Sequence, residues 1–233
     1  MKDDEFQNKK HQFENELYSF FDRNEVTIKN NSNRLCHYFE MACYSKVIQY
    51  YRNRHFRIQP YPPGESTFRF KSTTKGSPNK YSFFRVSENI ANPEQEIKEY
   101  DIRSNMPVCS SFDNCTYIPD IVVSEMSEDD NIQRIENQNL ITFCEVKYLK
   151  PHPEMLANFI GIVHELKPDL LNGPNVREGL HPAPALMASG HSSENVHHIS
   201  GEMKKRYTVN FALFYENNLA RLVAEKRISE SSD

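Results

Sequence analysis

The sequence has no long hydrophobic run: no stretch of its 233 residues approaches the ~20 apolar residues that a membrane-spanning helix needs. Residues 1–10 are charged, and no apolar segment follows them to act as a secretory signal. No internal repeat is present. These absences predict a cytoplasmic protein with no membrane partner. Its length fits one large domain, or a domain that carries an insertion.

Cysteine is scarce, and its spacing excludes two common uses. The chain has five cysteines, and no two of them form a CxxC pair. An odd number at scattered positions argues against both a disulfide framework and a zinc ribbon. We therefore interpret the cysteines as small, reduced side chains in or near a core. Cys144 precedes Glu145, but strand alternation should point it to the opposite face, so it is not assigned as a nucleophile.

Charge is distributed unevenly, although the net value is only −4. Between residues 44 and 86, nine basic side chains are opposed by a single acid, Glu65. Acids are frequent from residue 87 to residue 145, where only three bases occur. A local basic surface can bind phosphates even when the whole molecule is acidic. The alternative for each of these bases is a solvated position on a charged face.

Apolar periodicity and turn residues predict alternating helices and strands. Ser32 or Asn33 is expected to cap the first helix. Residues 72–79 are rich in turn formers and predict a hairpin between the strands on either side. The order of elements predicts an α/β fold, with helices packed on a mixed β-sheet. The predicted helices are 33–54, 154–167 and 193–207, and the predicted strands are 55–59, 68–71, 81–86, 117–124, 140–148, 185–188 and 209–215.

The chemically informative pattern is Pro119-Asp120 on one apolar strand and Glu145-Val146-Lys147 on another. Alternation places Glu145 and Lys147 on one face, while Val146 points into the core and leaves its carbonyl free. Charged side chains on an otherwise buried strand are costly unless they are paired or bind a metal. Mg²⁺ prefers one or two carboxylates, with other oxygen ligands. The alternative is a Glu–Lys ladder on a half-exposed strand of an unrelated α/β protein.

Pro119, Asp120, Glu145 and Lys147 match the motif of the PD-(D/E)XK nuclease superfamily, which this sequence therefore resembles. The resemblance implies a restriction-endonuclease-like core with the order α-β-β-β-α-β. It also implies a metal-dependent phosphodiesterase, in which Asp120 and Glu145 are ligands and Lys147 is the catalytic lysine. The long gap between Asp120 and Glu145 and a β-rich insertion at about 60–115 depart from a compact member of that superfamily.

Glu40 is the candidate for a fourth site residue. Many members of the superfamily carry an acid in the first core helix, and Glu40 occupies a comparable place. The implied cofactor is Mg²⁺, with Mn²⁺ as a substitute, bound by Asp120, Glu145, the backbone carbonyl of Val146 and Glu40. The alternative for Glu40 is an ordinary helix glutamate.

The resemblance implies a DNA endonuclease in a prokaryotic defence, restriction or mobile-element context. Residues 32–220 are predicted to form the nuclease domain, between a polar extension at 1–31 and a polar tail at 221–233. A homodimer or higher homo-oligomer is expected, and an activator or partner protein is conceivable. The alternative is a catalytically silent nucleic-acid-binding or sensing module, which would not need the complete Asp–Glu–Lys set. DNA is expected to contact the basic region through Arg57, Arg69, Lys71, Lys75 and Lys80.

Overall fold

The computed structural model describes residues 34–88, 97–129, 131–171, 180–190 and 192–212, and the backbone of 27–29 and 213–214. Four residues nearer the N-terminus are also described, namely Asn15, Ser19, Phe20 and Asp22. Most of the predicted polar extension at 1–31 and all of the predicted tail at 221–233 lie outside these residues.

A mixed seven-stranded β-sheet forms the centre of the fold, with helices on both faces, which confirms the predicted α/β class. The strands are β2 (Arg57–Tyr61), β4 (Phe83–Ser87), β5 (Glu99–Ser104), β8 (Ile121–Glu125), β9 (Leu140–Lys147), β10 (Ala185–Ser189) and β11 (Asn210–Phe214). Their order across the sheet is β11-β10-β9-β8-β5-β4-β2. The pairs β9–β10 and β10–β11 are parallel, and the other pairs are antiparallel.

Two pairs of short strands lie beside the main sheet. β1 (Thr27–Lys29) pairs in parallel with β3 (Thr67–Arg69). β6 (Val108–Cys109) pairs antiparallel with β7 (Thr116–Tyr117). The loop of this second hairpin reaches the end of the helix Pro153–Leu166, where the Ser111 amide donates to the Glu165 carbonyl at 2.7 Å.

Among the residues that the structure describes, helices lie on both faces of the sheet, and each face has its own core. Helix α1 (Leu35–Arg52) buries Phe39, Cys43 and Val47 against one face. Helices α2 (Pro153–Leu166) and α3 (Glu194–Arg206) cover the other face, which contains Val122, Phe143 and Leu186. Ser193 caps α3 by accepting a hydrogen bond from the Val196 amide. None of the described helices is both long and apolar enough to cross a membrane.

The hairpin predicted around residues 72–79 is wrong. β3 pairs with β1, whereas β4 pairs with β2 and β5. The two segments are still in contact: Phe68 of β3 is buried and stacks on Phe84 of β4, with ring centroids 4.9 Å apart, and the Ser82 amide donates to the Arg69 carbonyl at 2.9 Å. These contacts join them without a continuous hydrogen-bond ladder.

Residues 60–115, where the sequence predicted a β-rich insertion, supply β4 and β5, and β5 pairs directly with β8 in the middle of the sheet. The sequence does not predict β5, because charged residues alternate along it. Asp101 and Arg103 are nevertheless buried, since they pair with each other and Asp101 also pairs with Arg85.

Candidate active site

The two strands that carry the sequence motif are neighbours in the sheet. β8 and β9 are antiparallel, and Ile121 lies opposite Cys144. Asp120 immediately precedes Ile121, and Glu145 immediately follows Cys144, so the register brings these two acids to the same end of the strand pair. The sequence alone could not establish this adjacency, on which the proposed role of Asp120 depends.

Lys147 joins the two carboxylates. Its Nζ donates to Glu145 Oε2 at 2.7 Å and to Asp120 Oδ2 at 3.1 Å. The first contact confirms that Glu145 and Lys147 share one face of β9. Because both oxygens contact the same nitrogen, they cannot be further apart than these two distances combined. An ion that takes two carboxylate ligands needs such convergence.

The backbone of Val146 fixes Asp120 from a second direction. The Val146 amide donates to Asp120 Oδ2 at 2.7 Å, while the Val146 side chain is buried in the core beneath α1. The N–H and C=O groups of one strand residue point to the same side of the strand. The Val146 carbonyl is therefore directed towards Asp120, where it can serve as an additional oxygen ligand.

The three motif side chains differ in their exposure to solvent. The exposed fraction of the side chain is 38% for Lys147, 20% for Asp120 and 10% for Glu145. Lys147 and Asp120 can therefore meet a molecule from solution, whereas Glu145 lies deeper. Electrostatic interactions are stronger in such a partly dry setting than at an open surface.

Glu40 approaches the site from α1 and is 8% exposed. Burial and, to a lesser extent, the negative charge of Asp120 raise its pKa from 4.5 to about 8, against the opposing effects of Asn105 and Lys147. Asp120 and Lys147 thus lie within electrostatic reach of Glu40. Asn105 links Glu40 to the start of β8, because its side chain donates to Glu40 and its backbone amide donates to the Asp120 carbonyl.

Glu145 and Lys147 have pKa values that reflect the same crowding of acids. Burial raises the pKa of Glu145, and Asp120 adds to the effect, while Lys147 opposes it. Burial alone lowers the pKa of Lys147, but the carboxylates of Glu145 and Asp120 outweigh it and leave the pKa raised. Asp120 and Glu145 therefore share the Lys147 ammonium group, while Glu40 lies within electrostatic reach of both Lys147 and Lys71. Buried ionisable groups with such shifted pKa values are typical of functional sites.

The acids do not form a ready-made three-ligand cluster. Across the described residues, no group of three or more His, Cys, Asp and Glu side chains is arranged as a metal centre. In this arrangement Asp120 and Glu145 both accept from Lys147, and Glu40 Oε1 accepts from Asn105. Mg²⁺ commonly binds one or two carboxylates and completes its shell with water and substrate oxygens. Asp120, Glu145 and the Val146 carbonyl satisfy that smaller requirement.

Four of the five residues predicted to contact DNA are exposed, namely Arg57, Arg69, Lys75 and Lys80. Lys71 is different and corrects the predicted surface: it is 1% exposed. Its Nζ donates to the Asn105 carbonyl at 2.6 Å, and burial lowers its pKa. Lys71 therefore lies behind the candidate site and cannot contact a phosphate at the surface.

Asn105 is the residue at this site that sequence reasoning missed. It follows β5 and has a positive φ of 49°, a conformation that Asn tolerates better than most residues. Its side chain donates to Glu40 Oε1 at 2.5 Å. An isolated Asn after a strand predicts a turn. Nothing in the sequence indicated which side chain its amide would reach.

The chain matches no family model, no curated protein and no solved structure. The geometry of Asp120, Glu145 and Lys147 is therefore the basis on which a function can be proposed.

Glu40→Gln should stabilise the protein increasingly as the pH rises. The folded-state pKa of Glu40 is raised from 4.5 to about 8, so the folded protein retains a proton that the unfolded chain loses in this interval. Wild-type stability therefore falls as the pH rises through this window, and glutamine removes the loss. We expect the variant to gain roughly 2–4 kcal/mol relative to wild type between about pH 4.5 and about pH 8.5, since one pKa unit corresponds to about 1.4 kcal/mol.

Urea unfolding at several pH values measures this difference. Glu65→Gln, at an exposed position, is the matched control and should track wild type at every pH. A Glu40→Gln difference that does not change with pH would show that Glu40 is ordinarily ionised in the folded protein.

Proposed function

We propose that this chain is a metal-dependent nuclease that hydrolyses phosphodiester bonds in DNA. The observation that carries the proposal is the contact of Lys147 Nζ with both Asp120 and Glu145 on adjacent strands. This arrangement unites two oxygen ligands for a hard cation with a cationic group for a phosphate. Structural ion pairs are common, but a buried excess of acid around the pair favours a cation site.

Asp120, Glu145 and the Val146 carbonyl would hold Mg²⁺, or Mn²⁺ in its place. When bound, such an ion polarises a phosphoryl oxygen and lowers the pKa of a coordinated water. The chain contributes by fixing the oxygens in advance. Asp120 is held by the Val146 amide, and Glu145 is held by its buried position on β9. Their placement therefore does not depend on a flexible loop.

Lys147 acts on the phosphate as a hydrogen-bond donor. The carboxylates of Glu145 and Asp120 raise the pKa of Lys147, so this side chain offers an ammonium group rather than a base. An ammonium group beside the phosphate would stabilise the negative charge that develops there during hydrolysis.

The order of elements around the site supports the PD-(D/E)XK interpretation. α1 comes first, the antiparallel strands β5, β8 and β9 follow, and α2 leads to β10, which is parallel to β9. This series is the α-β-β-β-α-β order that the resemblance implies. β4 and β2 extend the sheet beyond β5, and β11 extends it beyond β10.

DNA as the substrate is supported by the basic segment that follows Lys71. Lys71 lies behind Glu40, and the chain that leaves it carries the exposed residues Lys75 and Lys80. This segment is tied to the loop before β9, because Ser77 donates to Gln133 at 2.7 Å. Exposed bases close to an acidic centre can hold a phosphate backbone while the cation site acts on it. Cleavage of both strands would require two copies of the site, for which we propose a homodimer, and the same function suits prokaryotic defence.

A cleavage assay tests the proposal. The full chain is incubated with supercoiled, linear and single-stranded DNA and with RNA, in Mg²⁺, Mn²⁺ or EDTA. We expect cleavage of DNA with either metal and none in EDTA. Asp120→Asn should lower the rate by a factor of roughly 10² to 10³. Glu65→Gln removes an exposed carboxylate and should leave the rate unchanged.

Each other outcome has a defined meaning. Metal-dependent cleavage that survives Asp120→Asn would place the active site elsewhere. Binding of DNA without cleavage under any of these conditions would favour the catalytically silent binding module. Cleavage of RNA alone would retain the site and change the substrate.

A further inference from the structure

Asn105 lies where three parts of the chain meet behind the candidate site. Its backbone amide donates to the Asp120 carbonyl at 2.9 Å, which links it to the start of β8. Its carbonyl accepts from Lys71 Nζ at 2.6 Å, which links it to the segment after β3. Its side chain contacts Glu40, which links it to α1. Asn105 is 4% exposed, so these bonds are shielded from water.

Two hydrogen-bond acceptors fix the orientation of the Asn105 side-chain amide. Nδ2 donates to Glu40 Oε1 at 2.5 Å and to the Lys71 carbonyl at 2.9 Å. With its backbone and its amide both engaged, Asn105 has little freedom to turn. The left-handed backbone is also a conformation that few other side chains adopt at low cost.

A neutral donor is suited to orienting a metal ligand. An asparagine amide fixes a carboxylate without neutralising it, whereas a lysine would compete with a cation for the same charge. Within the part of the chain that the structure describes, the hydrogen bond from Asn105 is the one that reaches Glu40, and it goes to Oε1. The second oxygen of Glu40 is therefore left for another partner.

We propose that Asn105 is a positioning residue that fixes the Glu40 carboxylate through Oε1, so that its second oxygen is available to the cation site of Asp120 and Glu145. This inference rests on the proposed function, since it requires that the site binds a divalent metal. It assigns to Asn105 the part that outer hydrogen-bond partners play at metal sites, where they orient the ligands and tune affinity.

A double-mutant cycle on metal affinity tests the inference. Mn²⁺ binding to the full chain is measured by electron paramagnetic resonance for wild type, Asn105→Gly, Glu40→Gln and the double variant. Glycine keeps the left-handed backbone accessible while it removes the amide. We expect each single change to weaken Mn²⁺ binding by roughly 10-fold or more, which is typical when a residue that hydrogen-bonds to a metal ligand is replaced. The double variant should bind no more weakly than Glu40→Gln, because Asn105 acts through Glu40.

Two further variants serve as a negative control and as a replacement for Asn105→Gly. Asn53→Gly, at the exposed end of the same helix, should leave Mn²⁺ affinity unchanged. If Asn105→Gly does not fold, Asn105→Asp replaces it, because aspartate tolerates the same backbone but presents no amide donor to Glu40.

The outcomes separate this inference from the proposed function. If wild type binds Mn²⁺ and Asn105→Gly binds it equally well, the role of Asn105 is overturned while the metal site stands. The same holds if the two single losses simply add in the double variant. If wild type binds no Mn²⁺, the proposed function fails, and the inference fails with it.

Discussion

Replacing Lys147 by methionine is expected to lower the rate of DNA cleavage by a factor of roughly 10² to 10³, without weakening Mn²⁺ binding. Lys147 Nζ contacts both carboxylates that would hold the metal, at 2.7 and 3.1 Å. Removing the ammonium group takes away a competitor for these acids and, at the same time, the donor for the phosphate. The cleavage rate should therefore fall while the affinity for Mn²⁺ is maintained.

Single-turnover cleavage and calorimetric titration with Mn²⁺ measure the two effects on the same preparation. Lys147→Arg keeps a positive charge and should retain more activity than Lys147→Met. If metal affinity falls together with the cleavage rate, Lys147 serves mainly to organise the acids. If the cleavage rate is unchanged, Lys147 is not part of the reaction.

Asp101→Ala should destabilise the fold by about 3 kcal/mol, because it would leave the buried guanidinium group of Arg103 and the half-buried one of Arg85 without their common partner. Asp101 is 1% exposed and accepts from Arg85 Nε at 2.7 Å and from Arg103 at 3.1 Å. Arg103 is itself buried, and its guanidinium carbon lies 3.5 Å from the centroid of the Phe83 ring. Water cannot readily replace the lost carboxylate at this position.

Equilibrium unfolding in urea measures the change for Asp101→Ala. Glu128→Ala, in the exposed loop after β8, is the control and should alter the free energy of unfolding by less than about 0.5 kcal/mol. A loss of under about 1 kcal/mol for Asp101→Ala would mean that solvent or a rearranged chain compensates the two arginines. It would also show that pairing with Asp101 is not what allows a charged strand to lie at the centre of the sheet.

Strand alternation made part of the site predictable. Two residues on one strand, separated by one, point to the same face, so Glu145 and Lys147 had to lie together once β9 was recognised. Helical periodicity similarly predicted α1, which spans Leu35–Arg52. These predictions concern near neighbours in sequence, where local geometry leaves few alternatives.

Long-range pairing was not predictable in the same way. β5 has charged residues at alternate positions, so it looks solvent-exposed until Asp101 is found between Arg85 and Arg103. The sequence places Lys71 at the surface because lysines are rarely buried. Its burial is compensated by the Asn105 carbonyl, a group that the sequence cannot place. These two failures have the same cause, a polar residue whose compensating partner the sequence pattern does not identify.

The central claim is that Asp120 and Glu145 bind a divalent metal ion. Crystals soaked in Mn²⁺, with an anomalous difference map, test it most directly. We predict a peak at roughly 2.0–2.3 Å from a carboxylate oxygen of each residue, with the Val146 carbonyl in the same shell, and no such peak in Asp120→Asn crystals. No peak between Asp120 and Glu145 in wild type, with Lys147 still bridging the two acids, would contradict the claim.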